Sequence, residues 1–235
     1  MGRSLARALA ERGDQLYLLG RNADDLERSA KDLVVYGENR FEVAHGRCDL
    51  GEPEGFGPAL DAATEAMGGL DTVVVTAALF ADQAELEADT ERTRQLLILN
   101  FPNTVAFCEE ARKRLMAKGG GTLCVFSSVA GDRGRKPTGI YGASKAGLSA
   151  YLEAMDHKFR SEGLITINVK PGFVKTGMTA GLQPPPFAGE PDQVAAIVVK
   201  AIEKQKPLVY APGPWRYIML VIKHLPRFVM RRINF

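Results

Sequence analysis

Three short, almost uninterrupted apolar runs constrain this chain more than any other feature. They are Asp71-Thr-Val-Val-Val-Thr76, Gly121 to Phe126, and Ile165 to Val169, with long stretches of helical periodicity between them. A strand that is apolar on both faces must be covered on both. The helical connections supply that cover and force successive strands to run parallel. The amino-terminal quarter repeats the alternation. Residues 3–12 read as a helix with Leu5, Ala8 and Leu9 on one face, ended by Gly13, and Gln15 to Leu19 is a short strand. Asn22 is placed to cap a helix opened by Asp24 and Asp25, and a second strand runs through Phe41 to Ala44 and arrives at Cys48-Asp49-Leu50. The expected fold class is therefore α/β, a doubly wound parallel sheet in three α/β/α layers. It occupies residues 1–210 and leaves a basic, apolar tail over 211–235.

The chain of 235 residues is long enough to bury a substantial core, and a net charge of +2 argues against a dedicated nucleic-acid surface. Cys48, Cys108 and Cys124 are too few and too scattered for a disulfide framework or a zinc site, so no metal is expected and a reducing, cytoplasmic setting fits. No apolar run approaches the roughly 18 residues of a membrane span.

Tyr141-Gly-Ala-Ser-Lys145 places a phenol and an ammonium on one helix face, four residues apart. A free phenol titrates too high for easy proton donation at neutral pH, and a fixed ammonium beside it is expected to lower its pKa. Ser127-Ser128 ends the strand before that helix, on the side where open α/β sheets place ligands. A Ser128 hydroxyl there can hold a carbonyl oxygen next to the phenol. The pair alone is weak, since roughly one such chain in three would carry Tyr-x-x-x-Lys by accident.

Sheets of this kind select their dinucleotide at the end of the second strand, where an acid takes the ribose hydroxyls of NAD and an Arg takes the extra phosphate of NADP. Here Gly20 stands at the acid position and Arg21 follows, which predicts NADP(H) in preference to NAD(H). A solvated arginine in a loop is the plainer alternative. Such folds also open on an apolar strand and a glycine-rich turn. This sequence opens on Met1-Gly2-Arg3, which matches the last glycine of that turn and the first residue of its helix. The expectation is that the protein begins further upstream. The alternative is a degenerate protein that no longer binds dinucleotide.

From residue 1 to about 210 the sequence resembles the short-chain dehydrogenase/reductase family, which has a Rossmann-type fold. The resemblance is carried by Asp49-Leu50, Asn100, Ser127-Ser128-Val-Ala-Gly131, Tyr141-Gly-Ala-Ser-Lys145 and Pro171-Gly-Phe-Val-Lys-Thr176, in that order and spacing. It implies Tyr141 as general acid or base, Lys145 lowering its pKa and holding the nicotinamide ribose, Ser128 on the carbonyl oxygen, and Asn100 organising a water chain through Lys145. It further implies that Gly2 and Arg3 meet the pyrophosphate, that Asp49 and Leu50 flank the adenine, and that Thr76 and Ala77 line the cofactor. Pro171, Gly172, Val174 and Thr176 would fix the nicotinamide. Each has a plainer role open to it: Asn100 bridging helix turns, Asp49 capping a loop, Thr176 capping a helix, Ser128 satisfying a strand end.

Val75-Thr76-Ala77-Ala78 departs from the family's Asn-Asn-Ala-Gly and leaves less room beside the cofactor. Residues 177–189, with Pro184-Pro185-Pro186, suit a loop over the substrate. The tail alternates Arg216, Lys223, Arg227, Arg231 and Arg232 with large apolar residues, and Pro226 is expected to break its helix. Two placements stay open for residues 213–235. One is peripheral contact with a membrane, at its inner face; the other is packing on its own subunit, on a partner copy or over the substrate. The expected activity is NADP(H)-dependent interconversion of a carbonyl and an alcohol on a lipophilic substrate, in a homodimer or homotetramer. The alternatives are a 3-oxoacyl-thioester reductase and a cofactor-free scaffold protein.

Overall fold

The computed structural model describes residues 1–38, 40 and 42–233. Helices and strands alternate as α1 (Gly2–Arg12), β1 (Tyr17–Gly20), α2 (Ala23–Tyr36), β2 (Ala44–Arg47), α3 (Phe56–Met67) and β3 (Thr72–Val75). Then come α4 (Gln83–Ala88), α5 (Thr90–Ile98), α6 (Thr104–Ala117), β4 (Gly121–Phe126), α7 (Gly139–Phe159), β5 (Leu164–Pro171), α8 (Pro191–Glu203) and β6 (Leu208–Ala211). The tail forms α9 (Trp215–His224) and α10 (Arg227–Met230). Every strand pairing is parallel. The expected α/β/α layering follows: α3, α6 and α7 bury Leu60, Phe107 and Leu148 on one face, while α1 and α8 bury Leu9 and Val198 against Cys124 and Ile167 on the other.

The strands form two sheets, β1–β2 and β3–β4–β5–β6. Between them lies a cavity of about 700 Å³ lined by Leu18 and Leu19 of β1, Val73 and Val74 of β3, and Leu5 and Leu9 of α1. Among the described residues no strand joins β1 to β3.

Several local expectations hold for the reasons given. Gly13 ends α1 in the left-handed conformation (φ 97°), and the Asn22 side chain accepts the Asp25 amide at 3.0 Å. Others need correction. The second strand is Ala44–Arg47 rather than Phe41 to Ala44, because its register pairs Tyr17 with Ala44 and Gly20 with Arg47; Phe41 lies outside the described residues. The helical periodicity between β3 and β4 is interrupted by a π-helical turn over Leu99–Asn103. Pro102 sits inside that turn and removes one amide donor.

Candidate active site

The site is built where β4 ends and α7 begins. Side chains alternate along an extended backbone, so the two serines diverge. Ser127 points into the sheet and donates to Asn168 Oδ1 at 2.5 Å, a structural role. Ser128 faces the opposite way, accepts the Ala130 amide at 3.1 Å and lies near enough to Tyr141 to favour its phenolate. Glycine lets these elements meet. A Cβ on Gly142 would lie 2.7 Å from Ala130 O, and one on Gly131 would lie 2.6 Å from the Lys145 carbonyl carbon. The loop after Ser128 and the first turns of α7 therefore touch backbone to backbone. Tyr141 and Lys145 are held against Ser128 as a result.

Phe80, in the loop after β3, packs edge-on against the Tyr141 ring at 5.2 Å between centroids. Lys145 is 1% exposed; its Nζ donates to Phe126 O at 3.1 Å and lies 5.8 Å from the Tyr141 ring centroid. The electrostatics differ from the sequence expectation. Burial pushes the Tyr141 phenol up to about 12, opposed by the Ser128 hydroxyl, and pulls Lys145 down to about 8. Lys145 does not make Tyr141 more acidic here, because the same burial that penalises the phenolate penalises the ammonium.

Asn100 is fully buried in the π turn, and both ends of its amide are engaged by Leu79. Its Oδ1 accepts the Leu79 amide and its Nδ2 donates to the Leu79 carbonyl, each at 2.7 Å. It clamps the loop that carries Phe80 rather than bridging helix turns. Pro171 ends β5 opposite Ala211, and Val174 is buried and bridges to Gly189 at the base of the 177–189 loop. Thr176 caps the short 3-10 turn Gly177–Thr179, the plainer of its two expected roles. Gly172 is covered by Trp215: a Cβ there would fall 2.1 Å from the indole nitrogen. That same nitrogen donates to Phe187 O at 3.2 Å, so the first residue of α9 braces the loop over the site.

The other expected residues lie in the first turn of α1 and after the carboxyl ends of β1, β2 and β3. Gly2 and Arg3 form the first turn of α1, and Gly2 abuts Thr76, whose Oγ1 a Cβ would meet at 2.7 Å. Ala77 follows Thr76 in the loop after β3. Arg3 pairs with Asp25 at 3.4 Å in the open. Arg21 is exposed at the end of β1. Asp49 accepts the Gly51 amide at 2.8 Å, the loop cap that was its plainer reading, and Asn103 fixes the buried Leu50 by donating to its carbonyl at 2.6 Å.

The sequence reading missed Phe80, Asn103, Trp215 and Asp132. Asp132 is the most informative omission. Its carboxylate is 1% exposed, 2.5 Å from Lys170 Nζ and 3.5 Å from Lys223 Nζ, and it accepts from Tyr210 Oη at 2.8 Å. It ties the loop after Ser128 to β5, β6 and the tail. A lysine at the end of the buried β5 was a legible signal, since such a charge needs a partner.

A family model for the short chain dehydrogenases matches residues 1–186. The chain belongs to the short-chain dehydrogenase/reductase family. It is thus an enzyme, an oxidoreductase on a Rossmann-type fold. An uncharacterized oxidoreductase of Mycobacterium tuberculosis is 31% identical over 233 residues, covering 99% of this chain and 92% of that protein. Carbonyl reductase family member 4 of Danio rerio is 28% identical over 211 residues, 86% of each. Among solved structures, levodione reductase superposes with a TM-score of 0.79 at 22% identity, covering 89% of this chain and 91% of that one. The L-sorbose reductase of Gluconobacter frateurii, in complex with NADPH and L-sorbose, superposes at 0.78 and 18%, covering 89% and 90%.

Proposed function

We propose that this oxidoreductase is an NADP(H)-dependent reductase of ketones or aldehydes on lipophilic substrates, with Tyr141 as the proton donor. The observation that carries the reading is the Ser128–Tyr141 pair with Lys145 buried behind it. Burial keeps the Tyr141 phenol protonated at neutral pH, the form that reduction needs. Ser128, the hydroxyl whose influence lowers the phenol pKa, would hold the carbonyl oxygen beside it. Lys145 donates to Phe126 O and keeps a second proton source behind the phenol.

The residues present fit a nicotinamide dinucleotide. Arg3 and Arg21 stand at the two helix entries, the first-turn amides of α1 lack partners within their own helix, and no carboxylate occupies the Gly20 position. That cofactor, when bound, supplies the hydride. The names of carbonyl reductase family member 4 and of the NADPH-bound sorbose reductase agree with this choice. Met178, Leu182 and Phe187 expose apolar surface from the loop over the site, which supports a lipophilic substrate. Among the described residues no helix is long and apolar enough to cross a membrane. The outer face of α9 nevertheless exposes Tyr217, Leu220 and Val221 beside Arg216 and Lys223, which favours peripheral membrane contact of a cytoplasmic enzyme. Assembly as a homodimer or homotetramer is part of the same reading and rests on the family resemblance.

The test is NADPH oxidation with a panel of apolar ketones and aldehydes. Tyr141→Phe is expected to cut turnover by more than about 100-fold with NADPH affinity retained. Near-wild-type turnover in that variant would remove Tyr141 from the reaction.

A further inference from the structure

The loop that links Ser128 to Tyr141 meets the tail around a second cavity, of about 370 Å³. Five of its eight lining residues are cations: Arg133, Arg135 and Lys136 from the loop, and Arg227 and Arg231 from the tail. Among the described residues no carboxylate lines it. The neighbouring Asp132 acts on Arg135, but its oxygens are taken by Lys170 and Tyr210 and approached by Lys223, so it offsets little of the group's charge.

The cavity is held together by contacts that leave its charge in place. Arg133 Nη2 donates to Leu225 O at 2.9 Å and Lys136 Nζ to Arg231 O at 2.8 Å, fastening the tail to the loop through backbone carbonyls. Among the described residues, Arg133, Lys136, Arg227 and Arg231 make no ion pair with a carboxylate. Burial pushes the Arg135 guanidinium below its ordinary value, the direction expected where a cation is partly desolvated. Holding like charges around one concavity is unfavourable unless something of opposite charge enters it.

From this geometry we infer that the cavity between the Arg133–Lys136 loop and α10 is a binding site for a phosphate ester. The guanidiniums of Arg133, Arg227 and Arg231, with the Lys136 ammonium, suit a tetrahedral oxyanion better than a planar carboxylate, because they can reach its oxygens from several sides. The volume admits a phosphoryl group with its ester carbons. Met230 and Ile233 make the remaining wall apolar, where those carbons would lie. The loop spans residues 133–136, between Ser128 and Tyr141 in the chain, so an occupied site would brace the catalytic loop from outside. The inference needs neither the proposed reaction nor its cofactor.

Two ligand sources share this chemistry, a soluble phosphate ester and a phospholipid headgroup. The test uses the whole protein with saturating NADPH present, so that the dinucleotide site does not compete. Glycerol 3-phosphate is titrated by calorimetry. In parallel, vesicles of phosphatidylcholine, with and without phosphatidic acid, are followed by co-sedimentation and by the fluorescence of Trp215, the single tryptophan. The comparison protein is R227E/R231E, whose altered residues lie at the surface, with R227Q/R231Q as a milder second variant. The expected result is saturable binding of glycerol 3-phosphate or of phosphatidic acid vesicles, weakened about tenfold or more in both variants. Binding of the soluble ester supports a site for phosphorylated small molecules, and binding of the vesicles alone supports one for a headgroup. Binding of neither, or binding unchanged in both variants, would overturn the inference.

Discussion

Around Tyr141 every layer of the protein is in contact. Gly131 and Gly142 bring the β4–α7 loop onto α7 backbone to backbone, and Leu123, Leu148 and Leu164 beneath it are fully buried. Around Gly2 and Arg21 the construction is looser. All four residues of β1 are only half-buried, and among the described residues its inner edge faces a cavity of about 700 Å³ and no neighbouring strand. The catalytic half thus holds its geometry by packing, whereas the half expected to receive the adenosine end holds together through helix contacts and surface ion pairs such as Arg7–Asp32. Surface pairs of that kind contribute little.

The comparison can be broken by truncating one leucine in each half. Leu148→Ala removes a side chain that is 0% exposed and packed between α7 and the sheet. It is expected to cost about 2–5 kcal/mol, read as a fall in the urea midpoint. Leu18→Ala removes a side chain that already borders empty space, and is expected to cost under about 1 kcal/mol because fewer contacts are lost. Equal costs would mean that the two halves are equally well packed.

The sequence displayed the catalytic half far better than its supports. Buried parallel strands read as apolar runs, and Ser128, Tyr141 and Lys145 stand at spacings set by one strand end and one helix face. Their neighbours were hidden because tertiary contacts chose them. Phe80 reaches Tyr141 only after the Asn100 amide has pinned the Leu79 backbone, and Trp215 covers Gly172 across more than forty residues of chain. The expected acidification of Tyr141 by Lys145 failed for a related reason. Spacing along a helix shows that two groups are neighbours, but depth below the surface decides which protonation state each prefers. The tail shows the same limit. Its alternation of cations and apolar residues left two placements open, and the structure uses one face of α9 for packing Trp215, Met219 and Ile222 while the other stays exposed.

The depth of the catalytic half gives a sharper, pH-dependent test. Lys145 falls from 10.5 in the unfolded chain to about 8 in the folded one, through desolvation. Between those values the unfolded state binds more protons, so stability rises with pH across the window and is flat below it. The full gain approaches about 3 kcal/mol. Lys145→Met lacks the group, so subtracting its thermal-melting profile from that of the wild type isolates the rise. A difference profile that is level from pH 8 to 10.5 would mean that the ammonium is not desolvated, and the contrast in burial between the halves would lose its electrostatic support.

The smallest expected effect lies in the looser half. Arg3 and Arg28 both contact Asp25, at 3.4 and 2.6 Å, whereas Arg21 makes no ion pair among the described residues. It stands immediately after Gly20, where a Cβ would press on the Leu26 side chain at 3.1 Å. If Arg21 takes the adenosine phosphate of NADPH, Arg21→Ala should weaken NADPH about tenfold, the scale of one charge-assisted contact, and leave NADH unchanged. Fluorescence titration of both nucleotides reads this directly. Equal weakening of the two would make Arg21 a general support of the helix entry. No change in either would mean that this half does not discriminate between the dinucleotides through Arg21.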